Sequence, residues 1–244
     1  MERRDDVWKS AALSRQYLSG VRGAIPLASQ QIDVMLRLIR SARPNLTSFL
    51  DLGCGDGILG HAILDHYPGV TGVFLDFSEP MLDAARARLG TGANRHFIAQ
   101  DYATPDWLRQ VQPYAPFDAV VSGFSIHHQP DERKRALYAE IFDLLKPGGI
   151  FLNLEHVSSP SRWLEQHFDE LMVDSQYDYH VRTGGTRPWQ EVADEFYYRP
   201  DKAANILAPL ELQLDWLREI DYEHVDCYLK IFELALFGGV KPAT

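Results

Sequence analysis

The sequence predicts an α/β fold, an open, doubly wound sheet with helices on both faces. Three observations predict it. Short apolar runs, among them Phe49–Leu52, Gly72–Leu75, Phe117–Phe124 and Ile150–Leu154, read as buried strands. Between them lie stretches with apolar residues at helical spacing, closed by proline and glycine signals. Asp51, Asp76 and Asp101 each stand where an apolar run ends. Carboxylates at successive strand ends mark the edge where such sheets take their ligands.

In chain order, Trp8, Leu13, Tyr17, Leu18 and Val21 fall at roughly helical spacing, and Ile25-Pro26 breaks the pattern. A second helix is predicted over Ala28–Ala42, with Ile32, Met35, Leu36 and Ile39 on one face and Pro44 ending it. Phe49-Leu50-Asp51-Leu52 then runs into Gly53-Cys54-Gly55-Asp56-Gly57, and Ile58 to Tyr67 is apolar at helical spacing up to Pro68-Gly69. This strand, glycine loop and helix organise the chain. Gly55, Gly57 and Gly60 match G-x-G-x-x-G, the dinucleotide fingerprint. Asp51 and Asp56 argue against a pyrophosphate there, because carboxylates would repel it. They suit a cation.

The pattern Asp51-x-Gly53-x-Gly55-x-Gly57 resembles motif I of the class I S-adenosylmethionine-dependent methyltransferases. The similarity runs from about residue 45 to 157, with an echo near the C-terminus. It implies a Rossmann-like, seven-stranded sheet of order 3-2-1-4-5-7-6 with its last strand antiparallel. S-adenosylmethionine, which carries an ammonium and a sulfonium, is the implied cofactor. Its methionine and ribose parts would lie along Gly53, Cys54 and Gly55, with Asp51 on the ammonium. In the same family, N-terminal helices cap the cleft, which implies contacts from Tyr17 and Arg22 to the methionine carboxylate. Four segments follow: a helical cap (1–44), a cofactor-binding core (45–157), a lid insertion (158–208) and a C-terminal helix with two strands (209–244).

The second strand, Gly72–Leu75, ends in Asp76, placed to accept both ribose hydroxyls. Phe77 would flank the adenine, and Ser78-Glu79-Pro80-Met81 opens a helix to Leu89 with a serine cap and an early proline. Met81 joins the implied cofactor set. Arg95–Tyr102 is the third strand and its exit; Asp101 matches the family position that receives the adenine amino group, and the Tyr102 amide would donate to the ring. Phe117–Phe124 is the central fourth strand, bringing Gly123 and Phe124 to the cofactor. A helix over Asp131–Leu145 stops at Lys146-Pro147-Gly148-Gly149, and the fifth strand, Ile150–Leu154, leads to Glu155-His156.

Residues 158–208 break the alternation. Helices are predicted over Ser161–Asp174 and Trp189–Tyr198, with a turn at Thr183–Thr186. The family resemblance makes this aromatic insertion a substrate lid. Pro209-Leu210-Glu211 starts the last helix, with Leu214, Trp216 and Leu217 inward, and Val225–Phe232 and Leu234–Gly239 are the closing strands.

With 244 residues, one large domain with an insertion is expected. No apolar run approaches the ~20 residues that span a bilayer, and Met1–Asp6 leads into no signal-type apolar core, so a cytoplasmic protein is expected. Cys54 and Cys227 form no metal or disulfide framework. A net charge of −10 disfavours nucleic acid, which binders hold with Lys and Arg. Composition does not decide the oligomeric state; a homodimer is compatible with it.

The donor is already activated, so the enzyme must chiefly align the reacting atoms and exclude water, adding a base when the acceptor arrives protonated. His127, His128, Glu155 and His156 leave the fourth and fifth strands at the cleft, and His180 lies in the insertion. His128, further beyond the strand, is the favoured base, since an extended exit would turn only one of the adjacent pair inward. No H-x-x-x-H or H-x-x-E spacing supports a metal site. The expected function is methyl transfer to a small-molecule acceptor. Val21-Arg22-Gly23-Ala24-Ile25-Pro26, the insertion and the Phe-rich last strands also look like the carboxy-S-adenosylmethionine synthases of tRNA wobble-uridine modification. That family holds its extra carboxylate with an arginine in the last helix, where this chain has Trp216 or Leu217 and a displaced Arg218. A cofactor-binding protein without turnover is the non-enzyme alternative.

Overall fold

The computed structural model describes Ser10 and residues 21–244, apart from the side chains of Val21, Arg22, Pro200 and Asp201. Seven strands form one sheet: β1 (Ser48–Leu52), β2 (Thr71–Asp76), β3 (Arg95–Ala99), β4 (Phe117–Gly123), β5 (Leu145–His156), β6 (Glu223–Ile231) and β7 (Leu234–Val240). Their order is β3-β2-β1-β4-β5-β7-β6, as the sequence predicts. Strands β1 to β5 are parallel neighbours, while β7 runs antiparallel to both β5 and β6. The antiparallel strand is therefore the sixth across the sheet, and β6 forms the edge.

Helices α1 (Ala28–Ala42), α2 (Ile58–His66), α3 (Glu79–Leu89) and α4 (Asp131–Leu144) alternate with the strands. The insertion folds into α5 (Arg162–Arg182) and α6 (Trp189–Tyr198), and α7 (Leu210–Glu219) precedes the last two strands. Both faces of the sheet are covered, which explains why β1 and β4 read as nearly continuous apolar runs. One core cluster joins Leu50, Val120, Phe151 and Phe237 to Tyr138 and Trp216; the other joins Phe49, Phe74 and Val121 to Met35 and Ile39 of α1.

A buried carboxylate sets the register at the sheet end opposite the glycine loop. Asp118, fully buried, accepts hydrogen bonds from Thr47 N (2.8 Å), Thr47 Oγ1 (2.6 Å), Ser48 N (3.1 Å) and Lys146 Nζ (2.9 Å), and it pairs with Arg43. Burial by itself would raise this carboxyl, but the donors from Thr47, Lys146 and Arg43 outweigh it and hold Asp118 well below the usual carboxylate range.

The structure departs from the sequence reading at three elements. The fifth strand starts at Leu145 rather than Ile150, because Lys146–Gly149 stays in the sheet as an irregularity facing Phe117–Ala119. Helix α5 continues to Arg182, past the expected end at Asp174. The helix expected to cap the cleft, α1, instead packs its Met35, Leu36 and Ile39 face along the sheet. The predicted helix around Trp8–Val21 lies almost wholly outside the described residues.

Candidate active site

At the end of β1 the chain must reverse into α2 within a few residues. Gly55 adopts φ +54°, and a Cβ built there would meet nothing within 4 Å. Its backbone thus faces open space, bare to whatever lies beside the loop. At Gly53, φ +65°, a Cβ would fall 1.9 Å from Ser125 Oγ, so the β4 exit and the loop can approach this closely only with glycine there. Asp51 Oδ2 accepts from Gly60 N at 2.9 Å, tying the strand end to the first turn of α2. Asp76 reaches back across the sheet: Oδ2 accepts from Gly55 N (2.9 Å) and Oδ1 from Ser78 N (2.8 Å). Burial pushes the Asp76 carboxyl up to about 6, with the Asp101 charge adding to it against the amide donors of Ser78, Gly55 and Phe77. Asp56, read from sequence as loop charge for a cation, is held by Arg88 Nη2 at 2.5 Å.

One cavity of about 190 Å³ opens along this edge. Asp51, Gly53, Cys54, Gly55, Asp76, Phe77, Met81, Gly123 and Phe124 all line it, as do His127, His128 and His156. Four predicted residues, Asp101, Tyr102, Glu155 and His180, do not; Glu155 lies behind His127. Tyr102 is buried with its hydroxyl 2.5 Å from Ser125 Oγ, and its carbonyl accepts from Arg133 Nε (2.8 Å); Asp101 Oδ1 accepts from Ala103 N at 2.8 Å. Both are engaged in the turn after β3, beside the cavity rather than on it. His180 accepts from Arg187 N (2.9 Å) within the insertion and closes its turn instead. Tyr17 and the side chain of Arg22 lie outside the described residues; of the described chain before β1, only Ile25 reaches the cavity.

The exit of β4 is not extended. Ile126–His128 forms a 3-10 turn, which brings both histidine rings to the cavity with centroids 4.0 Å apart. The two differ in their partners. His127 Nδ1 lies 2.5 Å from Glu155 Oε1, and the same carboxylate accepts from the amides of His127 (3.0 Å) and His156 (2.8 Å). His128 Nδ1 donates to the Ala204 carbonyl at 3.1 Å. Burial, together with the positive charge of His156, Lys134 and Arg199, lowers His127 well below the usual histidine range. Burial lifts Glu155 to about 7. Once Glu155 is ionised, Nδ1–H donates to it and the other nitrogen of the neutral ring carries a lone pair. That nitrogen can take a proton.

The far wall comes from the insertion read from the sequence as a lid, though the sequence named none of its residues as site residues. Phe168, Met172 and Gln176 of α5 and Glu195 and Phe196 of α6 line the cavity with Arg199, Asn205 and Leu234. Asn205, which hydrogen-bonds the His127 ring, comes from an irregular segment with no motif around it. His156 Nε2 lies 2.7 Å from Glu233 Oε2, a residue of the turn between β6 and β7 that the sequence reading left unassigned. Among the described residues, no group of three or more His, Cys, Asp and Glu is placed to hold a metal ion.

A methyltransferase-domain family matches residues 50–151, the span holding the glycine loop and strands β2 to β4. Over that span the chain is a methyltransferase domain. Demethylmenaquinone methyltransferase of Leptospira interrogans is 35% identical over 135 residues, 52% of this chain and 51% of that protein. The carboxy-S-adenosyl-L-methionine synthase of Aeromonas hydrophila is 26% identical over 208 residues, 84% of this chain and 78% of that one. The chain spans about half the length, or less, of the curated methyltransferases it matches. In fold it resembles an O-methyltransferase family protein from Burkholderia thailandensis, with a TM-score of 0.64 at 18% identity over 95% of this chain and 59% of that one.

S-adenosylmethionine is the family's methyl donor, and the loop suits it. Gly55 leaves bare backbone where a ligand can lie, and the buried carboxylates of Asp51 and Asp76 flank that opening. The arginine used by the carboxy-S-adenosylmethionine synthases has no counterpart on α7: Trp216 and Leu217 are buried in the core, Arg218 pairs with Asp215 (2.7 Å), and no residue of α7 lines the cavity.

Proposed function

We propose that this chain transfers the methyl group of S-adenosylmethionine to a hydroxyl of a cytoplasmic small-molecule acceptor, with His127 as the base. His127 on the cavity beside the glycine loop, backed by the buried Glu155, carries this reading. When bound, the sulfonium cofactor supplies an activated methyl group. Gly53, Cys54 and Gly55 would hold its methionine and ribose parts, Asp51 its ammonium and Asp76 its ribose hydroxyls, with Phe77 and Met81 against the adenine and Gly123 and Phe124 closing the floor. Glu155 holds the His127 ring in one tautomer, and the ring accepts the proton that the acceptor oxygen loses. The Asn205 side chain hydrogen-bonds the same ring, so an acceptor hydroxyl that reaches the ring nitrogen displaces it. Lid residues Phe168, Met172 and Phe196 exclude water from that side.

The test is a turnover assay against a panel of hydroxylated metabolites, following formation of S-adenosylhomocysteine. His127→Ala should lower turnover roughly a hundredfold or more while calorimetry shows the cofactor still bound. Undiminished turnover in that variant would remove His127 from the mechanism.

The long match to the carboxy-S-adenosylmethionine synthase favours a second reading, modification of the cofactor itself. The absence of an arginine from the α7 side of the cavity weighs against it. Mass spectrometry of S-adenosylmethionine incubated with the protein and a carboxylate donor separates the two, since only the second reading yields a carboxylated sulfonium.

A further inference from the structure

The cavity is charged unevenly from end to end. Asp51 and Asp76 line it at the glycine loop, and their charges act together on the buried Cys54 thiol. The opposite end carries cations. Arg199 and His156 line it, and Lys134 is buried behind Asn205 with its Nζ donating to the Ile206 carbonyl (2.5 Å); the positive charge of all three acts on His127. The carboxylates at this end are bonded already: Glu155 to His127 (2.5 Å), Glu233 to His156 (2.7 Å) and Glu195 to Arg187 (2.5 Å).

His156 is the cation with a defined orientation. Its Nε2 faces Glu233 Oε2, Phe168 packs on the ring at 5.2 Å, and the Glu233 carbonyl accepts from Val157 N (2.8 Å), fixing the β6–β7 turn beside it. Glu233 is only 3% exposed, so the pairing is an internal one. An imidazolium has two N–H groups, and Glu233 takes one. Nδ1 bonds none of the described residues and keeps an open surface, on a ring that lines the cavity. The second N–H is therefore on offer to a ligand. Gln176, Asn205 and Arg199 line the same end and are rich in N–H groups too, the surroundings that suit an anion.

We infer that the acceptor is a hydroxy acid, with its hydroxyl on His127 and its carboxylate accepting from His156 Nδ1–H. The inference rests on the methyl-transfer reading above and adds the substrate class. The two rings lie 5.7 Å apart, so both groups belong to one small molecule, and Phe168, Met172 and Phe196 supply an apolar surface for its body. A cationic donor at the glycine loop and an anionic acceptor at the insertion match the two ends of the cavity. The hydroxyl remains the group methylated. Its oxygen bonds the methyl carbon, the carbon–sulfur bond leaves its electron pair on sulfur, and the hydroxyl proton passes to His127. The carboxylate is unchanged, and His156 acts by fixing where it lies.

The experiment is calorimetric titration of the protein, saturated with S-adenosylhomocysteine, with the ortho, meta and para hydroxybenzoates and the matching hydroxybenzamides, which keep the shape and lose the charge. The best-bound acid should bind about tenfold or more tightly than its amide, the worth of a charge-assisted hydrogen bond. His156→Phe should close that gap. Should circular dichroism show this variant unfolded, Glu233→Gln keeps the ring, removes the counter-charge of the imidazolium and should shrink the gap in its place. Acids binding no tighter than their amides, no binding of any acid, or a gap that survives these variants overturns the proposal. S-adenosylhomocysteine is titrated first on its own. Failure there counts against the methyl-transfer reading, and the acid and amide titrations, repeated without it, still test the carboxylate site.

Discussion

His127 and His128 are neighbours in sequence, yet the turn at the exit of β4 gives them unequal partners, a buried carboxylate for one and a main-chain carbonyl for the other. Only the first can stabilise a ring that has gained a proton. His127→Ala should therefore lower turnover by roughly a hundredfold or more, the usual worth of a positioned base, with S-adenosylhomocysteine affinity unchanged, whereas His128→Ala should cost less. The pH dependence follows from Glu155. Its carboxyl is pushed up to about 7, so the ionised form that orients His127 is lost as pH falls through that value. Turnover should rise through an ascending limb near pH 7, and Glu155→Gln should flatten it; a flat wild-type profile from pH 6 to 9 would contradict this. Asp76 obeys the same sign at the cofactor. Its carboxyl is pushed up to about 6, and protonation removes an acceptor from the ribose, so S-adenosylhomocysteine should bind more weakly below that pH. Asp76→Ala should weaken binding by about 1.5–3 kcal/mol at neutral pH, measured calorimetrically on a protein whose circular dichroism is unaltered.

At the scale of elements, the end of the sheet opposite the cavity depends on Asp118. It gathers the α1–β1 connection through Arg43, Thr47 and Ser48, and the irregular start of β5 through Lys146. Asp118→Asn should cost about 2–3 kcal/mol of stability in denaturant at pH 7, because two partly buried cations lose their counter-charge. The sign with pH is fixed. A carboxyl held below its unfolded value of ~3.9 contributes its full stabilisation above that pH and loses it as pH falls toward the folded value. The gap between wild type and variant should therefore narrow steadily as pH falls below about 4. Element by element, the strands and helices of the core were legible because their signals are local: period, caps and breakers. The helix Ala28–Ala42 matches its expected bounds residue for residue. Lys146–Gly149 was misread because proline and glycine mark a break equally well between elements and inside an irregular strand. The reach of α5 to Arg182 was missed because its aromatic residues do not repeat at a clean helical period.

Across the whole molecule, two clusters flank the sheet and a third, Phe168, Met172, Val173, Ala193 and Phe196 with Leu234, seats the insertion over the strand ends. The cavity lies between that third cluster and the glycine loop, so a ligand there bridges core and insertion and should stabilise both. S-adenosylhomocysteine at about a hundredfold excess over its Kd adds ~2.7 kcal/mol by mass action. For a chain of this size that corresponds to a Tm rise of roughly 5–10 °C in a thermal scan. NAD at the same concentration should leave Tm unmoved; the reverse order would refute the cofactor assignment. By itself the sequence determined the strands, the glycine loop and the acidic residues at strand ends, since each depends on residues a few positions apart. Only the tertiary structure decided which side chains share a proton. Glu155 lies 28 residues from His127 and Glu233 lies 77 from His156, and they meet because the sheet sets β4, β5 and β7 side by side. The 3-10 turn that brings His127 and His128 to the cavity together was likewise settled by packing. Separation along the chain carries no information about such contacts, and the sheet order does.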